Sequence, residues 1–286
     1  MNLWLGSPGV VAHTHHDEVP NWAAQIYGHK RWILSPPSEA WKLYPYPHLH
    51  SFRSQSQVDF KTGQSIDARA RGSGKLPDLD DNKDLFPHFG NITAYQGLLS
   101  PGEIMYIPPF WFHRVVTEDT SIAVNTWSNI PGGNPHNIME KVPLPFEEDW
   151  DIRRKATALR VFLKLFGDAL AETTGVTSGT EPAFTLLHRQ YDSLYYGALG
   201  RHQSSIIHKE MHDHCHDADL AEFEQNIANK VNDGIYVSAL IEQLLKLKNI
   251  DARRLLFLAH VETSIYALLE DPNLIYPFIR ECLPTE

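Results

Sequence analysis

Two imidazoles and a carboxylate that have to meet in space constrain this chain more than any other feature. His15, His16 and Asp17 stand on an apolar, extended run, and His113 follows 96 positions after Asp17, at the end of Tyr106-Ile107-Pro108-Pro109-Phe110-Trp111-Phe112-His113. Successive side chains of a β-strand point to opposite faces, so His15 and Asp17 share one face and His16 takes the other. The third donor then has to come from a second strand brought back by several turns. A rolled β-sheet meets that demand.

His-x-Asp alone is a weak signal, because strand histidines are more often structural, and its surroundings strengthen it. Two imidazoles and one carboxylate with coordination positions left open suit a non-haem Fe(II) centre. By strict alternation His13 also lies on the ligand face and competes with His15. After Asn21, the runs 23–27 and 30–34 are joined at Gly28-His29 and stopped by Pro36-Pro37, which predicts a β-hairpin. Lys30 opens the second run, where its ammonium can reach the carboxylate of a small acid beside the metal. Pro101-Gly102-Glu103 turns into the run 104–108, and residues 121–127 alternate as a last strand, with His113 between them.

These blocks, over roughly residues 3 to 130, resemble the Jumonji-C family of Fe(II)- and 2-oxoglutarate-dependent oxygenases of the cupin superfamily. Gln55-Ser56-Gln57-Val58-Asp59-Phe60, after Leu43-Tyr44-Pro45-Tyr46-Pro47, most resembles the asparaginyl hydroxylase of the hypoxia-inducible factor type. The resemblance implies a double-stranded β-helix, or jelly roll, in which His15, Asp17 and His113 hold Fe(II). It also implies that Lys30 pairs with the distal carboxylate of 2-oxoglutarate, that Asn21 and Asn125 line the cosubstrate pocket, and that Gln55 contacts a peptide substrate. The expected reaction is O2-dependent hydroxylation of a protein side chain, coupled to decarboxylation of 2-oxoglutarate to succinate. N-methyl demethylation or tRNA modification by the same chemistry, and a non-catalytic metal-binding module, are the alternatives.

The chain departs from its relatives in three respects. Where many place a threonine three residues before the first ligand, this chain has Ala12, so Thr14 or Tyr27 is expected to supply the lost hydroxyl. His13 is the second departure. The third is that Met1 stands two residues before the first recognisable segment, whereas relatives carry further strands upstream, so the activity is expected to be impaired.

Composition sets the wider limits. Hydrophobic residues at 42% and charged residues at 21% describe an ordinary globular protein. The formal net charge of −10 argues against nonspecific nucleic-acid binding, which needs clustered Lys and Arg. Cys215 and Cys282 are too few for a disulfide framework, so an intracellular, reducing setting is expected. No apolar run reaches membrane-spanning length. The polar stretch from Thr62 to Lys75 and the acidic Asp78–Asp84 read as a surface insertion.

After Trp127 the pattern changes. The expected organisation is a jelly roll over 1–130, a Pro-rich linker over 131–149 and an α-helical region over 150–286, together a mainly β plus α chain. Leu159, Phe162, Leu163, Phe166 and Leu170 fall on one helix face, as do Val237, Leu240, Ile241, Leu244 and Leu245. A further helix is expected after Asp251 as N-cap, with Leu255, Leu258, Ile265 and Leu269 inward and a stop near Pro272. These helices cover the barrel or form a homodimer contact. His208, His212, His214 and His216 read as a solvated face, not a second metal site.

Overall fold

Eight strands carry the alternating runs: β1 (Asn2–Gly6), β2 (Val11–His16), β3 (Asn21–Tyr27), β4 (Lys30–Ser35), β5 (Tyr95–Leu99), β6 (Ile104–Ile107), β7 (Phe112–Thr117) and β8 (Ser121–Trp127). A computed structural model describes residues 1–61, 63, 86–129, 137, 139, 143–174, 184–185, 187–191, 205–233, 235–271 and 274–283. Most of the polar insertion and of the linker 131–149 therefore lies outside the described residues. The strands build two antiparallel four-stranded sheets, ordered β1-β8-β3-β6 and β2-β7-β4-β5, the jelly-roll sandwich expected.

The expected hairpin of β3 and β4 does not form. β3 pairs with β8 and β6, and β4 pairs with β7 and β5, so the two strands belong to different sheets. Gly28 explains the step. Its φ is +65°, and a Cβ there would lie 2.1 Å from the Thr120 carbonyl oxygen, so glycine alone permits so close a corner. The His29 N–H donates to the Asp119 carboxylate at 2.6 Å and the Glu118 N–H donates to the His29 carbonyl at 3.0 Å. These bonds tie the corner to the loop after β7, and the chain passes from one sheet to the other.

Between the sheets, Ala23, Trp32, Leu99, Ile107 and Val115 form an apolar core with Leu34, Met105 and Trp111 against it. The rest of the interior is polar: Asn21, Gln25, Thr117, Ser121 and Asn125 are all buried. A short helix, α1 (Ala40–Leu43), follows β4, and the segment after it packs along β2, with Ser56 Oγ donating to the Leu43 carbonyl at 2.6 Å.

The chain divides into two compact units, the first holding Met1–Tyr46 and the described residues of His50–Asn134, the second Pro47–Leu49 and the later described residues. The second unit contains α2 (Ile152–Thr174), α3 (Ser205–Cys215), α4 (Ala221–Asp233), α5 (Ile235–Leu245), α6 (Ile250–Leu269) and α7 (Ile275–Cys282). The predicted apolar face of α2 is fully buried, while on α5 Leu240 and Leu244 are buried and Leu245, one step around the helix, is exposed. The N-cap of α6 is Asn249 rather than Asp251, because its side chain reaches the Ala252 N–H at 2.9 Å. Among the described residues no helix is long and apolar enough to cross a membrane.

Packing of α3 against α7 makes two contacts that the sequence alone did not show. Cys215 and Cys282 are joined in a disulfide, their Cα atoms 5.6 Å apart. His208 Nδ1 lies 2.9 Å from Glu281 Oε1, His212 Nδ1 lies 3.7 Å from Glu281 Oε2, and His216 Nε2 lies 3.0 Å from the Glu281 carbonyl. The histidine face therefore meets α7 instead of being left wholly to solvent. In the same unit Glu262 is buried on α6 and accepts from the Tyr191 hydroxyl at 2.9 Å and from the N–H groups of His48 at 3.0 Å and Leu49 at 3.3 Å.

Candidate metal centre

β2 runs antiparallel beside β7 with His15 opposite His113, their ring centroids 4.2 Å apart. Between Ala12 and His15 the register slips, so three steps on β2 match two on β7 and both Ala12 and His15 fall on the face of Val115 and His113. That bulge breaks the alternation that put His13 beside His15. His13 is exposed, and its carbonyl lies 2.7 Å from His15 Nδ1, which leaves Nε2 of His15 as the available donor atom. His16 turns away and packs on Phe110 and Phe112.

Asp17 stands just beyond β2 and is aimed by its neighbours. Its Oδ2 accepts from Asn21 Nδ2 at 2.8 Å and from Trp127 Nε1 at 2.9 Å, and Asn125 Nδ2 donates in turn to Asn21 Oδ1 at 2.8 Å. Both asparagines, expected along the cosubstrate pocket, thus spend these contacts on fixing the carboxylate. Trp127 was missed by sequence reasoning; its only signal was its place at the end of the last alternating strand, which pairs it with Asn21. Phe110 holds a left-handed φ of 63°, and its N–H donates to the Asp17 carbonyl at 2.7 Å. A bulky residue in that region costs about 1–2 kcal/mol, so the loop between β6 and β7 is held where it is by this bond and by the stack on His16.

His113 is buried, and its Nδ1–H donates to the Trp111 carbonyl at 3.0 Å, which presents Nε2 to Asp17 Oδ2 at 3.8 Å. Desolvation, and then the neighbouring His15, lower its pKa to about 4 against the pull of Asp17. A neutral imidazole with its lone pair on Nε2 is the form a metal requires. Two cis donors each about 2.1 Å from one ion stand roughly 3 Å apart, and the separation here is 3.8 Å. His15 is the third donor by chemical type and position, yet among the described residues no three such side chains close on a common point. The three donors are the right chemical types on neighbouring positions, and they have to draw together to hold an ion.

From this pair a row of inner-face residues runs along the sheet. Lys30, Trp32 and Leu34 on β4 lie opposite Thr117, Val115 and His113 on β7, all on the inner face. Lys30 is half-buried, burial lowers the pKa of its ammonium, and it has no carboxylate partner among the described residues. Among the described residues, Gln25 Oε1, Trp32 Nε1 and Ser121 Oγ are buried without a hydrogen-bond partner, each at a cost of about 1–3 kcal/mol. Gln55 is bridged to His15 across the edge of β2. Thr14 adjoins His15 in the bulge and its Oγ1 is also unpartnered among the described residues, while Tyr27 is 58% exposed on the outside of its sheet, away from the inner-face row.

Residues 1–131 match the family model of the cupin-like domain. The chain is 34% identical over 127 residues to Jumonji C domain-containing protein 5 of Drosophila melanogaster, covering 44% of this chain and 27% of that protein. It is 33% identical over 129 residues to lysine-specific demethylase 8 of Xenopus tropicalis, with 44% and 24% covered. To tRNA wybutosine-synthesizing protein 5 of Mus musculus it is 33% identical over 128 residues, with 44% and 33% covered. The chain spans about a quarter to a third of the length of these curated relatives. The sheet order and these matches agree that residues 1–131 are similar to cupin-like domains and to proteins named for the Jumonji C domain.

Proposed function

We propose that the first unit is the core of an Fe(II)- and 2-oxoglutarate-dependent dioxygenase that hydroxylates a protein side chain. The observation that carries the reading is the pairing of Asp17 with a neutral, buried His113 at 3.8 Å, with Lys30 on the same face of the sheet, two alternate positions along β4 from the residue paired with His113. His15, Asp17 and His113 would hold the iron, which when bound supplies the activation of dioxygen that couples oxidation of 2-oxoglutarate to oxidation of a C–H bond. Asn21 and Trp127 keep the carboxylate in place, Trp111 fixes the tautomer of His113, and Lys30 offsets the charge of the distal carboxylate. Gln55, next to His15, is placed to meet a peptide at the mouth. A basic polypeptide suits the net charge of −10 better than a nucleic acid does. The names of the relatives, one a lysine-specific demethylase and another a tRNA-modifying protein, are compatible with the same oxidation on other substrates.

Anaerobic Fe(II) titration with succinate release in the presence of ascorbate tests the reading. The chain should bind one iron and convert 2-oxoglutarate, and Asp17→Ala should lose both. Iron retained by Asp17→Ala would refute the ligand assignment, and metal binding without succinate would leave a binding module.

A further inference from the structure

An antiparallel sheet with one face in water alternates apolar side chains inward and polar ones outward. The β1-β8-β3-β6 sheet departs from that rule. Ala23, Gln25, Ala123 and Asn125 are buried, so alternation sends Trp22, Ala24, Ile122 and Val124 to the outer face. The register carries this face to both edges: Leu3 and Leu5 on β1 pair with Val124 and Ile122, and Ile104 and Tyr106 on β6 pair with Ala24 and Trp22. At the bulge after Gln25, Ile26 is exposed as well. Trp22 and Tyr106 hold their ring centroids 4.7 Å apart. None of these outer residues is charged.

The other sheet shows what a wetted face looks like in the same chain. Its outer positions include Arg31 and Arg114, and Arg31 pairs with Glu118. On the uncharged face, Leu3, Leu5, Trp22, Ile26, Ile104 and Tyr106 are all exposed, from 74% at Leu5 to 44% at Trp22. At roughly 100 Å² of open apolar surface each, the six present about 600 Å². The largest apolar patch of a typical monomer is about 300–600 Å², so this face stands at the top of that range. Two such faces laid together bury about 1,200 Å², the area at which specific, stable interfaces begin.

A charged partner would strand its ionic groups against aliphatic side chains, whereas a second copy brings the same uncharged rows. We infer that two copies of this chain pair through the outer face of the β1-β8-β3-β6 sheet, about a two-fold axis that closes the assembly at two. Stacked sheets lie about 10 Å apart, a gap that rows of leucine, isoleucine and aromatic rings fill. His15 and His113 belong to the opposite sheet. The interface therefore takes no residue of the metal centre, and the pairing is independent of the function proposed above.

Sedimentation of the full chain over a range of concentrations, at low and high NaCl, tests the inference. The mass should rise to that of two chains, and the dimer should tighten with salt, because apolar contact joins two chains that each carry a net charge of −10. Ile104→Glu should weaken dimerisation at least about tenfold, since a two-fold interface buries the new charge twice. Leu245→Glu, on the exposed side of α5, should leave the dimer intact. Hydrogen exchange on the unmutated chain should show β1 and β6 better protected in the dimer than on dilution, so a folding defect in Ile104→Glu cannot mask the answer. A monomer at every concentration overturns the inference. So does a dimer that loosens with salt, one that survives Ile104→Glu, or one that leaves β1 and β6 unprotected.

Discussion

Glu262→Gln should flatten the pH dependence of the helical unit. Burial raises the Glu262 carboxyl to a pKa of about 7 from an ordinary 4.5, against three hydrogen bonds, from His48, Tyr191 and Leu49, that pull the other way. Between those two values the folded state keeps a proton that the unfolded chain has already lost, so stability falls as pH rises through the window and levels off above it. The full difference corresponds to about 3 kcal/mol at 1.36 kcal/mol per pKa unit. Glutamine keeps an oxygen for the backbone N–H groups and has no proton to release. Urea unfolding followed by far-ultraviolet circular dichroism at pH 5, 6, 7 and 8 measures it. The wild-type midpoint should drop across this range, and the variant should lose less and end above the wild type at pH 8. The difference between the two proteins, not the raw slope, is the measurement, because it isolates position 262 from every other ionisable group. Equal slopes in both, or wild-type stability that rises with pH while the variant's does not, would refute the assignment.

Gly28→Ala should cost about 3 kcal/mol, from a left-handed alanine and from displacement of the two hydrogen bonds that tie the corner at His29, and should weaken 2-oxoglutarate binding by moving Lys30. A urea midpoint within error of wild type would contradict it. Reducing Cys215–Cys282, which closes a separation of 67 residues, should lower the unfolding free energy by up to about 4 kcal/mol by chain entropy. Equal midpoints with and without reductant would argue against a stabilising role for the bond.

Local periodicity was enough to read much of this molecule, and its failures share one cause. The face of α2 could be read because helix burial repeats within a few residues, and the strand character of the runs around Lys30 and Asn125 because alternation does the same. His15 and His113 meet because a sheet needs a return strand, which sequence order also conveys. Each misreading involves a partner far along the chain. A glycine between two strands looks like a hairpin until Asp119 and Thr120 are seen to trap it. The bulge at residues 13–14 shows only against β7, so strict alternation left His13 as a minor alternative to His15. Trp127 went unread as a partner of Asp17 because the two stand 110 positions apart.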